Sequence, residues 1–305
     1  VLVKFKKDCV DLPEKIYREI TVKPTVEMLR ACKLIKARST RAVQALTLMR
    51  ELSDGFQYYD KEKGTEMCDH CHGKGRSIEK VPNDGVDINA PTFDLEDSDY
   101  HDEEVSCPKC GGEGEVKVYE RDISETKSPK DDILIELMDE CEDVGRIIVW
   151  GGFTGSIDRL EIIARRYGWA TLTVDGRGYR AALATGETAD DEEFLQAMDL
   201  SHPRFKEFQI KYPKICFVGH PQAGGMALTL TAAPMEVFYS NCFNGEARMQ
   251  AEDRGHRLGM DANRGLTIVD LLMLPTDRLV LNNLKQKKKL QDLSMGELEA
   301  AMEKK

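Results

Sequence analysis

Two pairs of cysteines carry the plainest chemistry in this 305-residue chain. Cys68-Asp69-His70-Cys71-His72-Gly73-Lys74-Gly75 and Cys107-Pro108-Lys109-Cys110-Gly111-Gly112-Glu113-Gly114 repeat one pattern, Cys-x-x-Cys-x-Gly-x-Gly. Two such turns supply four thiolates, the donor set that holds zinc tetrahedrally. The glycines let each turn curl until backbone N–H groups point at the sulfurs. A redox pair is the other reading of a single Cys-x-x-Cys, but two copies with matching glycines favour one shared structural ion. His70 and His72 are spare ligands that a four-cysteine set does not require. Cys9, Cys32, Cys141, Cys216 and Cys242 have no such partners and read as core thiols.

The second constellation is Gln250-Ala251-Glu252-Asp253-Arg254-Gly255-His256-Arg257. On a helix, Gln250, Arg254 and Arg257 fall at i, i+4 and i+7, on one face. Two guanidinium groups there suit a polyphosphate, since arginine is always charged and forks onto phosphate oxygens. Equally, they could complement the negative end of the helix, which is worth about 0.3–1 kcal/mol.

The elements that must position these groups fall into three materials. Residues 12–58 give a short extended segment (Ile16, Tyr17, Ile20, Val22) and then a helical run opened by Pro24-Thr25. Residues 59–121 are rich in Gly, Cys, Asp and Glu, with too few large aliphatics to fold without a staple. After a polar linker (Ser124–Asp132) and a helix (Ile133–Val144), the pattern alternates from Arg146. Buried-strand runs such as Ile147-Ile148-Val149-Trp150 and Ile215-Cys216-Phe217-Val218 are separated by helical stretches. That alternation predicts an α/β fold, a parallel sheet with helices on both faces. Ser294-x-x-Glu297 is a capping box that opens a last helix at Ser294, within the C-terminal segment 291–305.

Charge excludes less than it first suggests. The chain has 43 Lys+Arg against 54 Asp+Glu, a net charge of −11. Nine of the acids lie between Val81 and Val105, where there is no Lys or Arg. The acidity therefore describes one loop between the cysteine pairs, and the remainder is nearly neutral. No uncharged apolar run approaches the ~18–20 residues of a membrane span, and no apolar signal-peptide core opens the chain. The expected setting is cytoplasmic or nucleoid-associated, not secreted, with no membrane partner.

Taken together, several segments resemble the second RecA-like lobe of Swi/Snf-type superfamily-two helicase-like ATPases. Gly224-Gly225-Met226-Ala227-Leu228-Thr229-Leu230-Thr231 is similar to that family's motif V, and Gln250-Ala251-Glu252-Asp253-Arg254-Gly255-His256-Arg257 to its motif VI. Phe243-Asn244 stands in the Trp-Asn place, and Ile147 to Leu160 looks like motif IV. Phe5-Lys6-Lys7-Asp8 with Leu12-Pro13-Glu14-Lys15 is similar to the segment joining the two lobes. Ala227 stands where the family has Gly, and Thr229 where it has Asn. The cysteine segment resembles the cysteine-rich domain of DnaJ-type chaperones, with two repeats in place of four, so one structural Zn2+ is expected on Cys68, Cys71, Cys107 and Cys110.

The resemblance implies four parts: an interlobe helical segment (1–58), a zinc-ribbon insertion with an acidic loop (59–121), a second RecA-like lobe (122–290) and a C-terminal helix (291–305). It implies that Arg257, with Arg254, is an arginine finger reaching the γ-phosphate of ATP with Mg2+, a role worth ~10³–10⁵ in rate. Gln250 would line the same cleft, and the Gly225 region would couple nucleotide to DNA. Thr229, Thr231, Phe153 and Thr154 would touch the backbone of DNA, in duplex form. The chain contains no Gly-x-x-x-x-Gly-Lys-Ser/Thr, so an N-terminal RecA-like lobe, in the same or another chain, must cradle the phosphates. The isolated chain is expected to be inactive.

Other motifs compete. Gly176-Arg177-Gly178-Tyr179-Arg180-Ala181 matches a dinucleotide fingerprint after a strand. Asp102-Glu103-Glu104 and Asp191-Glu192-Glu193 read as solvated acid runs rather than a magnesium box. Lys285 and Lys287 to Lys289 read as an exposed helix face or a phosphate contact. A non-enzymatic zinc module that binds protein or nucleic acid is the rival function, and a protein partner of the zinc insert is compatible with either.

Overall fold

The computed structural model describes residues 12–83, 100–225 and 228–285. The chain divides into two compact units, one of residues 1–57 with 124–305 and one of Tyr58–Ile123.

The larger unit is built on an eight-stranded sheet. Six strands run parallel in the order β1 (Lys15–Thr21), β12 (Leu266–Leu272), β11 (Met235–Phe238), β6 (Arg146–Trp150), β10 (Ile215–Gly219) and β7 (Ala170–Asp175). The central strands are continuous apolar runs because both of their faces are covered. Ile148, Trp150, Phe217 and Phe238 face α5 (Asp191–Ala197) and α6 (Phe205–Lys211). Ile147, Val149, Cys216 and Val218 face α3 (Pro129–Glu140) and α4 (Thr154–Arg166). The result is the α/β architecture that the alternating pattern implies, a largely parallel sheet with helices on both faces.

The sheet is not wholly parallel. After Asp175 the chain turns straight back into β8 (Gly178–Ala182), antiparallel to β7, and then β9 (Thr188–Ala189). A dinucleotide fingerprint needs a helix at that point to offer its N-terminus to a pyrophosphate. A hairpin stands there instead, and Arg177 and Arg180 are both bonded to the Asp175 carboxylate. The dinucleotide reading is therefore excluded.

Residues 12–57, which the sequence sets apart as a helical segment, pack into this unit. β1 forms one edge of the sheet, and α1 (Val26–Arg38) and α2 (Ala42–Ser53) build a core with Met273 and Leu274. Lys130 of α3 is fully buried, held between Asp54 (3.5 Å) and Asp277 (3.1 Å) of α8 (Pro275–Lys285). Asp54 in turn accepts hydrogen bonds from Ser156 and Ser240. This buried polar network joins α2, α3, α4, α8 and the end of β11.

In the smaller unit, β2 (Phe56–Met67) pairs with β5 (Glu115–Glu125), and β3 (Arg76–Pro82) runs antiparallel to β4 (Tyr100–Ser106). Its only buried hydrophobic cluster among the described residues is the four cysteines with Val116 packed beside them. Asp102, Glu103 and Glu104 lie exposed on β4. Asp191, Glu192 and Glu193 form the first turn of α5, where acids complement the helix dipole. The middle of the acidic loop, Phe5 to Asp8, Met226-Ala227, Lys287 to Lys289 and the helix opened by Ser294 lie outside the described residues.

Candidate functional site

The four cysteines of the smaller unit converge. Cys68, Cys71, Cys107 and Cys110 are buried, and their sulfurs all lie within 4.8 Å of one another. The two knuckles are related by near-symmetry: the Cys68 amide donates to Gly114 O (2.8 Å) and the Cys107 amide to Gly75 O (2.9 Å). The Gly75 and Gly114 amides each donate to a sulfur, of Cys71 and Cys110, at 3.2 Å. Gly75 sits at φ +72°, and a Cβ there would meet Gly112 O at 2.3 Å. Only glycine allows the two turns to come this close. Burial raises the Cys110 thiol, but amide donors from Gly114 and Gly112, together with the Cys107 and Cys71 thiols, outweigh it and bring the group down to about 7.

The donor set fits a tetrahedral ion. The Cys68–Cys107 and Cys71–Cys110 sulfurs are 3.8 and 3.7 Å apart. A tetrahedron with Zn–S of about 2.3 Å has an edge of about 3.8 Å. His70 Nδ1 lies 3.4 Å from the Cys107 sulfur, as a neighbour of the thiolate rather than a fifth member of the cluster.

In the larger unit, the sequence-predicted residues separate into two groups. Arg254, Arg257 and Thr229 come together. Helix α7 (Gly245–Gly255) starts at the carboxyl edge of the sheet, capped by the Asn244 side chain. It ends beside Glu236, the second residue of β11. The helix thus stops at Gly255, and Arg257 lies in the turn beyond it rather than on the helix face. There its Nη1 donates to Leu228 O (2.9 Å) and contacts Thr229 Oγ1 (3.4 Å). Leu230 N donates to Arg254 O at 3.0 Å.

These two half-buried arginines differ from Arg159 and Arg248. Arg159 is paired with Asp131 (2.8 Å), and Arg248 with Glu252 and Asp270 (2.7 Å each). Arg254 and Arg257 make no ion pair with any described residue, and the Arg254 Nε is buried with no hydrogen-bond partner. Burial and then the neighbouring Arg257 charge push the Arg254 guanidinium below its ordinary value. Gln250 is one turn away, exposed, and donates to Glu246 Oε1 (3.3 Å) on its own helix.

Phe153 and Thr154 lie at the opposite, carboxyl end of the strands, after β6. Phe153 is the N-cap of α4 and offers no side-chain hydrogen bond. Its ring packs edge-on to Phe56 (5.8 Å) and under Arg50 (4.6 Å). Thr154 is exposed. His220, missed by the sequence reading, ties this end together. Its Nδ1 accepts from Gln222 N (3.1 Å), so its Nε2–H donates to Gly152 O (3.2 Å). Gly225 ends the short 3-10 turn that follows, Pro221–Gly225. Thr231 is 3% exposed. Its hydroxyl accepts from Leu200 N (3.1 Å) and donates to Asp199 (3.3 Å). It therefore holds a loop and has no atom to offer a phosphate.

No protein-family profile matches the chain. Over 184 residues it is 28% identical to the chromatin-remodeling ATPase INO80 of Kluyveromyces lactis, covering 59% of this chain and 11% of that one. It is 29% identical over 133 residues to the ISWI chromatin-remodeling complex ATPase ISW1 of Saccharomyces cerevisiae, covering 42% and 11%. The chain thus spans about a tenth of the length of these relatives. Among solved structures, the C-terminal part of the Fun30 ATPase domain aligns at 21% identity with a TM-score of 0.41, over 58% of this chain and 52% of that one. The chain is similar to SNF2-family chromatin-remodeling ATPases, whose chromatin setting does not match the cytoplasmic location that the sequence alone suggests. No helix of the described residues is long and apolar enough to cross a membrane.

Proposed function

We propose that this chain is the arginine-bearing half of an ATP-driven DNA translocase. The observation that carries this reading is the pair Arg254 and Arg257, close enough to repel and making no ion pair among the described residues. Two half-buried guanidinium groups beside each other repel, and an anion between them would relieve that repulsion. A nucleotide polyphosphate, bound with Mg2+ by a second RecA-like lobe, is the anion that the relatives' ATPase names support. In that role Arg257, steadied by Arg254, stabilises the charge that develops on the transferring phosphoryl group. Thr229 and Leu228 hold Arg257 in place before the nucleotide arrives. The Arg257→Ala and Arg254→Ala enzymes, this chain together with its ATP-binding lobe, should lose ~10³-fold or more and at least tenfold in kcat, respectively, while DNA affinity is kept. Unchanged kcat in Arg257→Ala would remove the reading.

DNA contact belongs to the other end of the strands. Thr154 and the first turn of α4 present a helix N-terminus at the sheet's carboxyl edge, a place suited to a backbone phosphate. The relatives' names, which specify chromatin remodeling, support duplex DNA as the track. Gly225 and Thr229, between this end and the arginines, would link the two events.

The four cysteines would hold one structural Zn2+. The ion would supply the staple that the smaller unit lacks in its hydrophobic core. Metal analysis of the purified protein should give one zinc per chain, and Cys107→Ser should abolish it.

A further inference from the structure

Glu236 is a carboxyl group with no exposure at all, in the middle of the sheet's amino end. Both of its oxygens are engaged. Oε2 accepts from the Trp150 indole N–H (3.3 Å) of β6, and Oε1 accepts from the Gly255 amide (3.1 Å) at the last residue of α7. Gly255 is the residue between Arg254 and His256. A Cβ on it would stand 2.4 Å from Glu236 Oε1 and press on Leu266. The absence of a side chain at Gly255 therefore has a specific cause: the helix end must close on this carboxyl group. The arginine turn leaves from the same place, since Arg257 N donates to Gly255 O (3.2 Å).

We infer that Glu236 is a positioning residue for the arginine pair, fixing the end of α7 to β6 so that Arg254 and Arg257 are presented in one geometry. It touches neither nucleotide nor DNA. It acts through Gly255, and the inference rests on the proposed role of Arg257.

The charged groups around Glu236 give this role a pH signature. Glu252 and Arg248 face it from α7, and Lys15 and Tyr17 from β1. Burial and then the Glu252 carboxylate raise the Glu236 carboxyl to about 8. Below that value the group is neutral, and its hydroxyl oxygen can still accept a hydrogen bond. Above it, a second buried negative charge stands beside Glu252 and loosens the helix end.

Glutamine mimics neither form, because its amide nitrogen turns a donor toward one of the two N–H groups. In the full enzyme, Glu236→Gln and Gly255→Ala should each lower kcat about 10- to 100-fold with KM for ATP changed less than about twofold, the mark of a misplaced group rather than lost binding. Wild-type turnover should fall as pH rises through about 8, a limb absent in Glu236→Gln. In NMR spectra of the wild-type chain, the Trp150 indole N–H, told from Trp169 by Trp169→Phe, should shift with a midpoint near pH 8. This last measurement stands even if the variants fail to fold. A flat Trp150 signal from about pH 6 to 9, or folded variants with unchanged kcat, would overturn the positioning role. If Arg257→Ala loses turnover and Glu236→Gln does not, only this inference falls. If Arg257→Ala itself keeps turnover, the arginine reading falls instead.

Discussion

Single residues in this molecule are set by what they are denied as much as by what they touch. Whereas Arg159 and Arg248 are ion-paired, Arg254 and Arg257 make no ion pair among the described residues. Their types and order were legible in the sequence, but their geometry was not. The spacing i, i+4, i+7 assumed a helix through Arg257, whereas a contact 19 residues away in sequence, Glu236 to Gly255, ends it early. Thr231 misled for a related reason. A threonine in a glycine-rich loop looks available until the Asp199 turn that consumes its hydroxyl is known.

His220 left no motif, because its role is to bridge two loops. Burial, and to a smaller degree the Arg50 charge, hold its imidazole below the ordinary value. Protonation would set an N–H against the Gln222 amide. The native state therefore binds fewer protons at His220 than the unfolded chain does. Its stabilising contribution is complete above the unfolded value of about 6.5 and is lost as pH falls below it. Denaturant unfolding of wild type and His220→Gln should converge as pH drops from about 7 to 5. A constant difference across that range would refute this.

At the scale of elements, the strands were the most legible part. A strand buried on both faces needs an unbroken apolar run, and the runs at Ile147–Trp150 and Ile215–Val218 are just that. β1 was readable as extended but not as part of the sheet, because its partner, β12, lies some 250 residues later. The hairpin after Asp175 was hidden behind a fingerprint-like string of glycines. Nothing local distinguishes a Gly-rich βα turn from a Gly-rich β-turn.

The buried Lys130 network was also invisible, since lysine usually signals a surface. It fixes α3 to α2 and α8 through Asp54 and Asp277. Lys130→Met keeps the volume but leaves two buried carboxylates facing each other. The expected cost is about 3–5 kcal/mol in urea unfolding. A loss below about 1 kcal/mol would show that the network adds nothing to stability.

For the molecule as a whole, the net charge of −11 carries little information about the lobe. The cysteine-rich unit and the larger α/β unit are two compact units with separate supports. One rests on four sulfurs and a set of glycine turns, the other on an eight-stranded sheet. Chelation should therefore unfold the smaller unit while leaving the larger one's melting transition in place. A single shared transition that shifts on chelation would contradict that independence.

The central claim is that this chain completes an ATPase by lending arginines to a nucleotide held by another lobe. ATP turnover on duplex DNA tests it most directly, measured for this chain alone, for the ATP-binding lobe alone, and for the two together. The expected result is no turnover from this chain, weak turnover from its partner, and a rise of ~10³-fold or more when they are combined, lost again in Arg257→Ala. Turnover by this chain alone, or a combined rate that does not depend on Arg257, would contradict it.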